Sequence, residues 1–158
     1  MKKINFSFEY QEYDQAADLS ADQQELVNRA LAISQQAYVP YSKFHVGAAL
    51  ELDNGEIFAS TNQENAAYPV GTCAERGLLV YVSSQFPNMI IKRLAVSTED
   101  LQQPLPPCGM CRQAILEYEK KQNQPIEIIL SGKSGKVYVL KSAKDLLPLY
   151  FDEEFLEH

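Results

Sequence analysis

Histidine, cysteine and positive charge are all scarce in this chain, and long apolar runs are missing altogether. Of its 158 residues, two are histidine and three are cysteine. No stretch approaches the roughly 18 uninterrupted apolar residues of a membrane-spanning helix. The opening MKKINFSFEYQEYD has two lysines, with neither an apolar run nor a small-residue cleavage site behind them. A membrane span and a secretory signal are therefore not expected, and the cytoplasm is the expected location. Fourteen Lys and Arg stand against 21 Asp and Glu, a formal net charge of −7. Such a surface repels phosphate backbones, so nucleic acid is a poor partner. Internal repeats and low-complexity linkers are also absent. The GKS at residues 132–134 is not a phosphate loop, because Glu127 stands where that motif requires glycine.

What remains is a chain that is 46% hydrophobic and 22% charged, long enough to bury one core and too short for two comfortable domains. Residues 1–19 lack a clean period and form an N-terminal extension that either docks on the body or moves freely; no function is assigned to it. Residues 20–158 are expected to form a single domain. Ser20 and Gln23 fit a capping box, and Leu26, Val27, Ala30, Leu31, Ile33 and Ala37 recur at helical spacing up to Pro40, which predicts a helix over 21–38. FHVGAALEL, DNG and EIFAST read as a hairpin, since Asn54-Gly55 accepts the positive φ of a tight turn. CAERGLLVYVSSQF reads as a helix, although Gly77 inside it costs about 1 kcal/mol against alanine. IIKRLAVS is a buried strand, CGMCRQAILEYEKK a helix, and IEIIL and KVYVL two further strands around SGKSG. Strands and helices that alternate after the opening hairpin predict an α/β layered domain with a mixed sheet of about five strands.

The cysteines are placed with more purpose than core packing alone requires. Three cannot all pair as disulfides. In PPCGMCRQ, Pro106 and Pro107 disfavour helix and the residues after them favour it. Cys108 therefore sits near a helix N-terminus, with Cys111 one turn later on the same face. In VGTCAERG, Gly71 and Thr72 supply a turn, so Cys73 also opens a helix. Helix N-termini favour thiolate over thiol, and thiolates suit zinc. The fourth position decides the outcome: a histidine closes a structural site, whereas water leaves a catalytic one. His158 is terminal and His45 reads as an ordinary strand residue. Glu75, two residues past Cys73, is placed to carry protons for a bound water; its alternative role is to complement the helix N-terminus.

The C-x-E and P-C-x-x-C pair resembles the small zinc-dependent cytidine deaminases of the cytidine/deoxycytidylate deaminase superfamily. YVPYSKFHVGAAL, NQENAAYPVGTCAER, PCGMCRQ and LLPLYF stand in that family's order, covering about Ala37 to Phe151. The resemblance implies a three-layer α/β/α fold and a homotetramer with composite sites. It also implies one zinc per subunit on Cys73, Cys108 and Cys111, with Glu75 as general acid and base. Asn62 and Glu64 would hold the ribose hydroxyls, Phe44 would pack on the pyrimidine, and the Ala74 backbone would read the base edge. Ala66, Tyr68 and Phe151 would reach a neighbouring subunit's pocket. Arg76 and Arg112 are expected to donate hydrogen bonds to the sulfurs and offset their charge. Gly77, Gln63 and Met110 depart from the family's usual residues and bear on local packing rather than chemistry.

The implied reaction is hydrolytic deamination of cytidine and deoxycytidine to uridine and deoxyuridine, as in pyrimidine salvage. Two rivals keep the same metal chemistry: a deaminase for another aminopyrimidine such as blasticidin, and a polynucleotide editor, which the charge disfavours. A third is a noncatalytic zinc-stabilised module in which His45 completes the metal shell. That reading leaves Glu75, Asn62 and Glu64 without a role.

Overall fold

The computed structural model describes residues 1–156, so His158 lies outside the described residues. A single mixed sheet carries six strands rather than about five: β1 (Gln11–Tyr13), β2 (Gly47–Leu52), β3 (Ile57–Thr61), β4 (Ile91–Ser97), β5 (Glu127–Ser131) and β6 (Val137–Leu140), in the order β1-β6-β5-β4-β2-β3. The added strand is β1, which pairs antiparallel with β6 and places Glu12 opposite Tyr138. Three residues are too few to show a period in sequence, and only pairing with a distant strand makes them a strand. Among the pairs of named strands, β4 with β5 alone is parallel, as their connection through a helix requires.

Three α-helices flank the sheet: α1 (Ala21–Ser34), α2 (Ala74–Gln85) and α3 (Gly109–Gln122). Alternation along the strands divides the core into two layers. Leu50 and Leu52 of β2, Leu94 and Val96 of β4, and Ile128 and Leu130 of β5 face α2 and α3, meeting Leu78, Leu79, Ile115 and Leu116. Ala49, Ala95, Ile129, Val137 and Val139 face the other way, onto Leu26, Val27 and Ala30 of α1. The domain is thus a three-layer α/β/α sandwich. Small residues under α1 let it lie close to the sheet, and a Cβ on Gly47 would stand 1.9 Å from the Ala30 carbonyl oxygen.

The capping box of α1 is present in full: the Ser20 side chain accepts from the Gln23 N–H, and the Gln23 side chain accepts from the Ser20 N–H. The helix ends at Ser34, four residues before the predicted end. Its last carbonyls tighten into i→i+3 bonds, from Gln36 N–H to Ile33 and from Ala37 N–H to Ser34, and Tyr38 then forms a bridge with Gln63. Residues 11–19 of the predicted extension lie on the body, with Leu19 buried in the α1 layer. The hairpin turns at Gly55, whose φ is +85°.

Strand directions bring the functional segments together. The first residue of β2, Gly47, is opposite both Thr61, the last of β3, and Ser97, the last of β4. β3 leads to α2 and β4 leads to α3, so both helix N-termini rise from the same end of the sheet, beside the approach to β2.

Candidate metal centre and active site

Cys73 and Cys108 occupy equivalent positions. Each is the N-cap of its helix, with extended backbone (φ −69° and ψ 152°; φ −66° and ψ 165°), and neither side chain caps the helix. Both sulfurs are thus available beside first-turn N–H groups that lack helical acceptors. Cys111, buried in the first turn of α3, completes the group. The three sulfurs lie within 4.8 Å of one another, and those of Cys108 and Cys111 are 3.6 Å apart. A tetrahedral zinc with bonds of about 2.3 Å separates its sulfurs by roughly 3.8 Å, so the spacing fits that ion.

Electrostatics point the same way. Cys73 is lowered to about 6, first because it accepts a hydrogen bond from Cys111, against the opposing effects of burial and of Glu75. Cys111 is raised, first by donating that bond and then by burial. The shifts run in opposite directions because two sulfurs this close oppose each other's ionisation, and a bound cation would relieve that opposition. No histidine belongs to the group, which among the described residues comprises Cys73, Cys108 and Cys111. His45 is engaged elsewhere, with its Nδ1 at 3.0 Å from Asp100 Oδ2.

Glu75 is only 4% exposed and lines a cavity of about 230 Å³ with Cys73, Cys108, Ala74, Phe44 and Asn62. Burial is the first cause that raises its pKa, opposed by its own N–H, by Cys111 and by the charge of Arg76. A buried carboxyl held above its ordinary value beside a metal-binding group is equipped to exchange protons. Ala74, the first residue of α2, lines the same cavity, and the N–H groups of a helix's first turn have no helical acceptor.

Asn62 has a second job that its sequence position does not reveal. Its Oδ1 accepts from Val46 N–H at 2.9 Å, and its Nδ2 donates to the Phe44 carbonyl at 2.9 Å. From the other side, Asp100 accepts the His45 N–H at 2.6 Å, and the Thr98 hydroxyl donates to the His45 carbonyl at 2.7 Å. The segment carrying Phe44 is therefore splinted on both flanks. Glu64 accepts from the N–H groups of Tyr41 and Ser42 at 2.9 and 3.2 Å. Its carboxyl is held below its ordinary value, first by the Ser42 side chain. It lines a separate hollow of about 390 Å³ with Tyr41, Ser42 and Tyr68.

The remaining expected residues divide. Arg112 does not spend its Nε and Nη1 donors on sulfur: Nε donates to the Pro107 carbonyl at 2.8 Å and Nη1 to the Leu146 carbonyl at 3.0 Å, which ties down the turn ahead of Cys108. Partly buried carbonyls, short of water, compete well for a guanidinium. Arg76 acts on Cys73 and Glu75 through its charge. Tyr68 is 74% exposed and Phe151 is 55% exposed. Ala66 is also exposed, and none of the three lines the cavity of Glu75. Sequence reasoning missed Leu105, Pro106 and Val46, which wall that cavity. The PLPP run marked a loop and carried no sign that it faces the site.

Residues 20–124 match the family model for the cytidine and deoxycytidylate deaminase zinc-binding region. A cytidine deaminase of Halalkalibacterium halodurans is 41% identical over 133 residues, 84% of this chain and 96% of that protein. One of Sporosarcina psychrophila is 39% identical over 137 residues, 87% of this chain and 96% of that protein. The crystal structure of cytidine deaminase from Burkholderia pseudomallei superposes with a TM-score of 0.73 at 38% identity, over 80% of this chain and 97% of that one.

Proposed function

The chain belongs to the cytidine and deoxycytidylate deaminase family and is an enzyme, a hydrolytic deaminase; from that premise we propose that it converts cytidine and deoxycytidine to uridine and deoxyuridine with release of ammonia. One observation carries this reading: a buried carboxylate, Glu75, shares a cavity of nucleobase size with two cysteines of a three-sulfur group. Cys73, Cys108 and Cys111 would hold one zinc per subunit. Zinc in such a site supplies the Lewis acidity that makes water a nucleophile near neutral pH.

The other steps belong to the chain's own residues. Phe44, Leu105 and Pro106 offer apolar walls to a flat, neutral base. The Ala74 N–H reads the base edge. Asn62 and Glu64 hold the ribose hydroxyls; each has already oriented its polar head on backbone groups, so little freedom remains to be lost on binding. Glu75 takes a proton from the attacking water as oxygen bonds to C4 and passes it to N3. It then carries the second proton to the exocyclic nitrogen as the C4–N bond breaks. Water is consumed, ammonia leaves, and the carboxylate is regenerated.

Exposure of Ala66, Tyr68 and Phe151 supports a homotetramer in which these residues complete a neighbour's site. Among the described residues no helix is long and apolar enough to cross a membrane, in keeping with a cytoplasmic enzyme of pyrimidine salvage. A substrate panel tests the reading. The fall in ultraviolet absorbance should be fast with cytidine and deoxycytidine. Cytosine, which lacks the sugar, should turn over poorly, and a net charge of −7 disfavours single-stranded oligonucleotides. Preference for blasticidin or an oligonucleotide over both nucleosides would overturn it.

A further inference from the structure

Residues 4–10 carry a pattern that becomes legible once Gln11–Tyr13 is known to be strand β1 at an open edge of the sheet. Counting back from Glu12 at the two-residue period of a strand, Tyr10, Phe8, Phe6 and Ile4 fall on one face, while Glu9, Ser7, Asn5 and Lys3 fall on the other. The rings follow that face: Tyr10 packs on Tyr138 of β6 at 4.9 Å between centroids, and Phe8 stacks on Tyr10 at 6.2 Å. Yet Ile4, Phe6, Phe8 and Tyr10 remain 46–83% exposed, and no strand pairs with residues 4–10 among the described residues. An apolar ribbon with an unpaired backbone is a template for strand addition.

We infer that residues 2–12 are a pairing arm that joins a second copy of this chain, antiparallel about a two-fold axis at Ser7. The sequence of the arm selects this occupant because it is complementary to itself. Centred on Ser7, Ile4 meets Tyr10 and Phe6 meets Phe8, so all four apolar residues face one another across the axis. Lys2 then stands opposite Glu12. Centring on Phe6 sets Tyr10 against Lys2, and centring on Phe8 sets Ile4 against Glu12; each strands an apolar side chain. The apolar face of the pair continues the face of Tyr138, so two sheets join edge to edge. This arm is independent of the proposed reaction and of any interface that completes the catalytic site.

The test is sedimentation of the purified full chain across a concentration range, beside a chain lacking residues 2–9 and a full-length Phe6→Ser/Phe8→Ser variant. The full chain should reach a larger mass than the truncated one, reversibly, whatever assembly the truncated chain forms. The double-serine variant should behave like the truncated chain. Asn5 faces Glu9 only when the axis is at Ser7. Asn5→Lys should therefore tighten association, and Asn5→Glu weaken it, by about 2- to 30-fold for the two symmetric pairs. Equal masses for full and truncated chains would overturn the inference. So would the same direction of change for Asn5→Lys and Asn5→Glu. Amide protection of residues 4–10 that does not vary with concentration would also overturn it, by showing an arm docked on its own body.

Discussion

Replacing Glu75 by glutamine separates proton transfer from structure. The side chain is 4% exposed and sits in a cavity of about 230 Å³. The amide has the same shape, so it leaves no void and forces no clash. A positioned general acid–base contributes about 10²–10⁴-fold, or roughly 3–5.5 kcal/mol of barrier at 1.36 kcal/mol per decade. The Glu75→Gln rate constant should fall by that factor while zinc content and KM stay near wild type. Stability should move the other way. Burial raises the pKa of Glu75, so the native state binds its proton more tightly than the unfolded state does. In chelator-treated wild type, stability is greatest below the ordinary carboxylate value and is lost as pH rises through the raised one. Glutamine does not titrate. The chelated variant should therefore melt no lower than chelated wild type near pH 7, with the difference changing sign or closing on acidification. Absorbance kinetics, metal analysis and melting curves at two pH values make the assay. Activity within about tenfold of wild type at full metal content would refute the proton-carrier role; loss of zinc together with activity would make Glu75 a support for the metal instead.

Asn62→Ala removes the acceptor for Val46 N–H and the donor to the Phe44 carbonyl. The orphaned groups should cost about 1–3 kcal/mol each in denaturant unfolding, and KM should rise; a rise in KM with no loss of stability would deny the splinting role. Two glycines should respond oppositely to alanine. Gly47→Ala drives a Cβ to 1.9 Å from the Ala30 carbonyl oxygen and should destabilise by about 1–3 kcal/mol. Gly77→Ala meets the Thr72 methyl at 3.4 Å and the Ser60 hydroxyl at 3.8 Å, both ordinary contacts, and should stabilise α2 by up to about 1 kcal/mol. Equal responses at the two positions, read from denaturant midpoints, would contradict the packing described.

Features encoded within a few residues were readable from the sequence. The capping box at Ser20, the Asn54-Gly55 turn and the breakers ahead of Cys73 and Cys108 each act locally, so their consequences follow from composition and spacing. The sixth strand did not, because Gln11–Tyr13 becomes a strand only against β6, more than a hundred residues away. The carbonyl partners of Arg112 were hidden for a related reason. Its neighbour in sequence is a sulfur, but the acceptors it finds are the carbonyls of Pro107 and Leu146, and Leu146 arrives from the far end of the chain. The double use of Asn62 depends on the start of β2 and the end of β3 meeting at one edge of the site. The linear order of the residues does not display that meeting.

The most direct measurement is the zinc content of purified protein, taken alongside cytidine deamination, before and after a chelator and in Cys111→Ser. One zinc per chain is the expected result, with metal and activity lost together on chelation or substitution and regained together when zinc is restored to wild type. Deamination that persists without metal, or protein that holds no stoichiometric zinc, would contradict a reaction built on Cys73, Cys108 and Cys111.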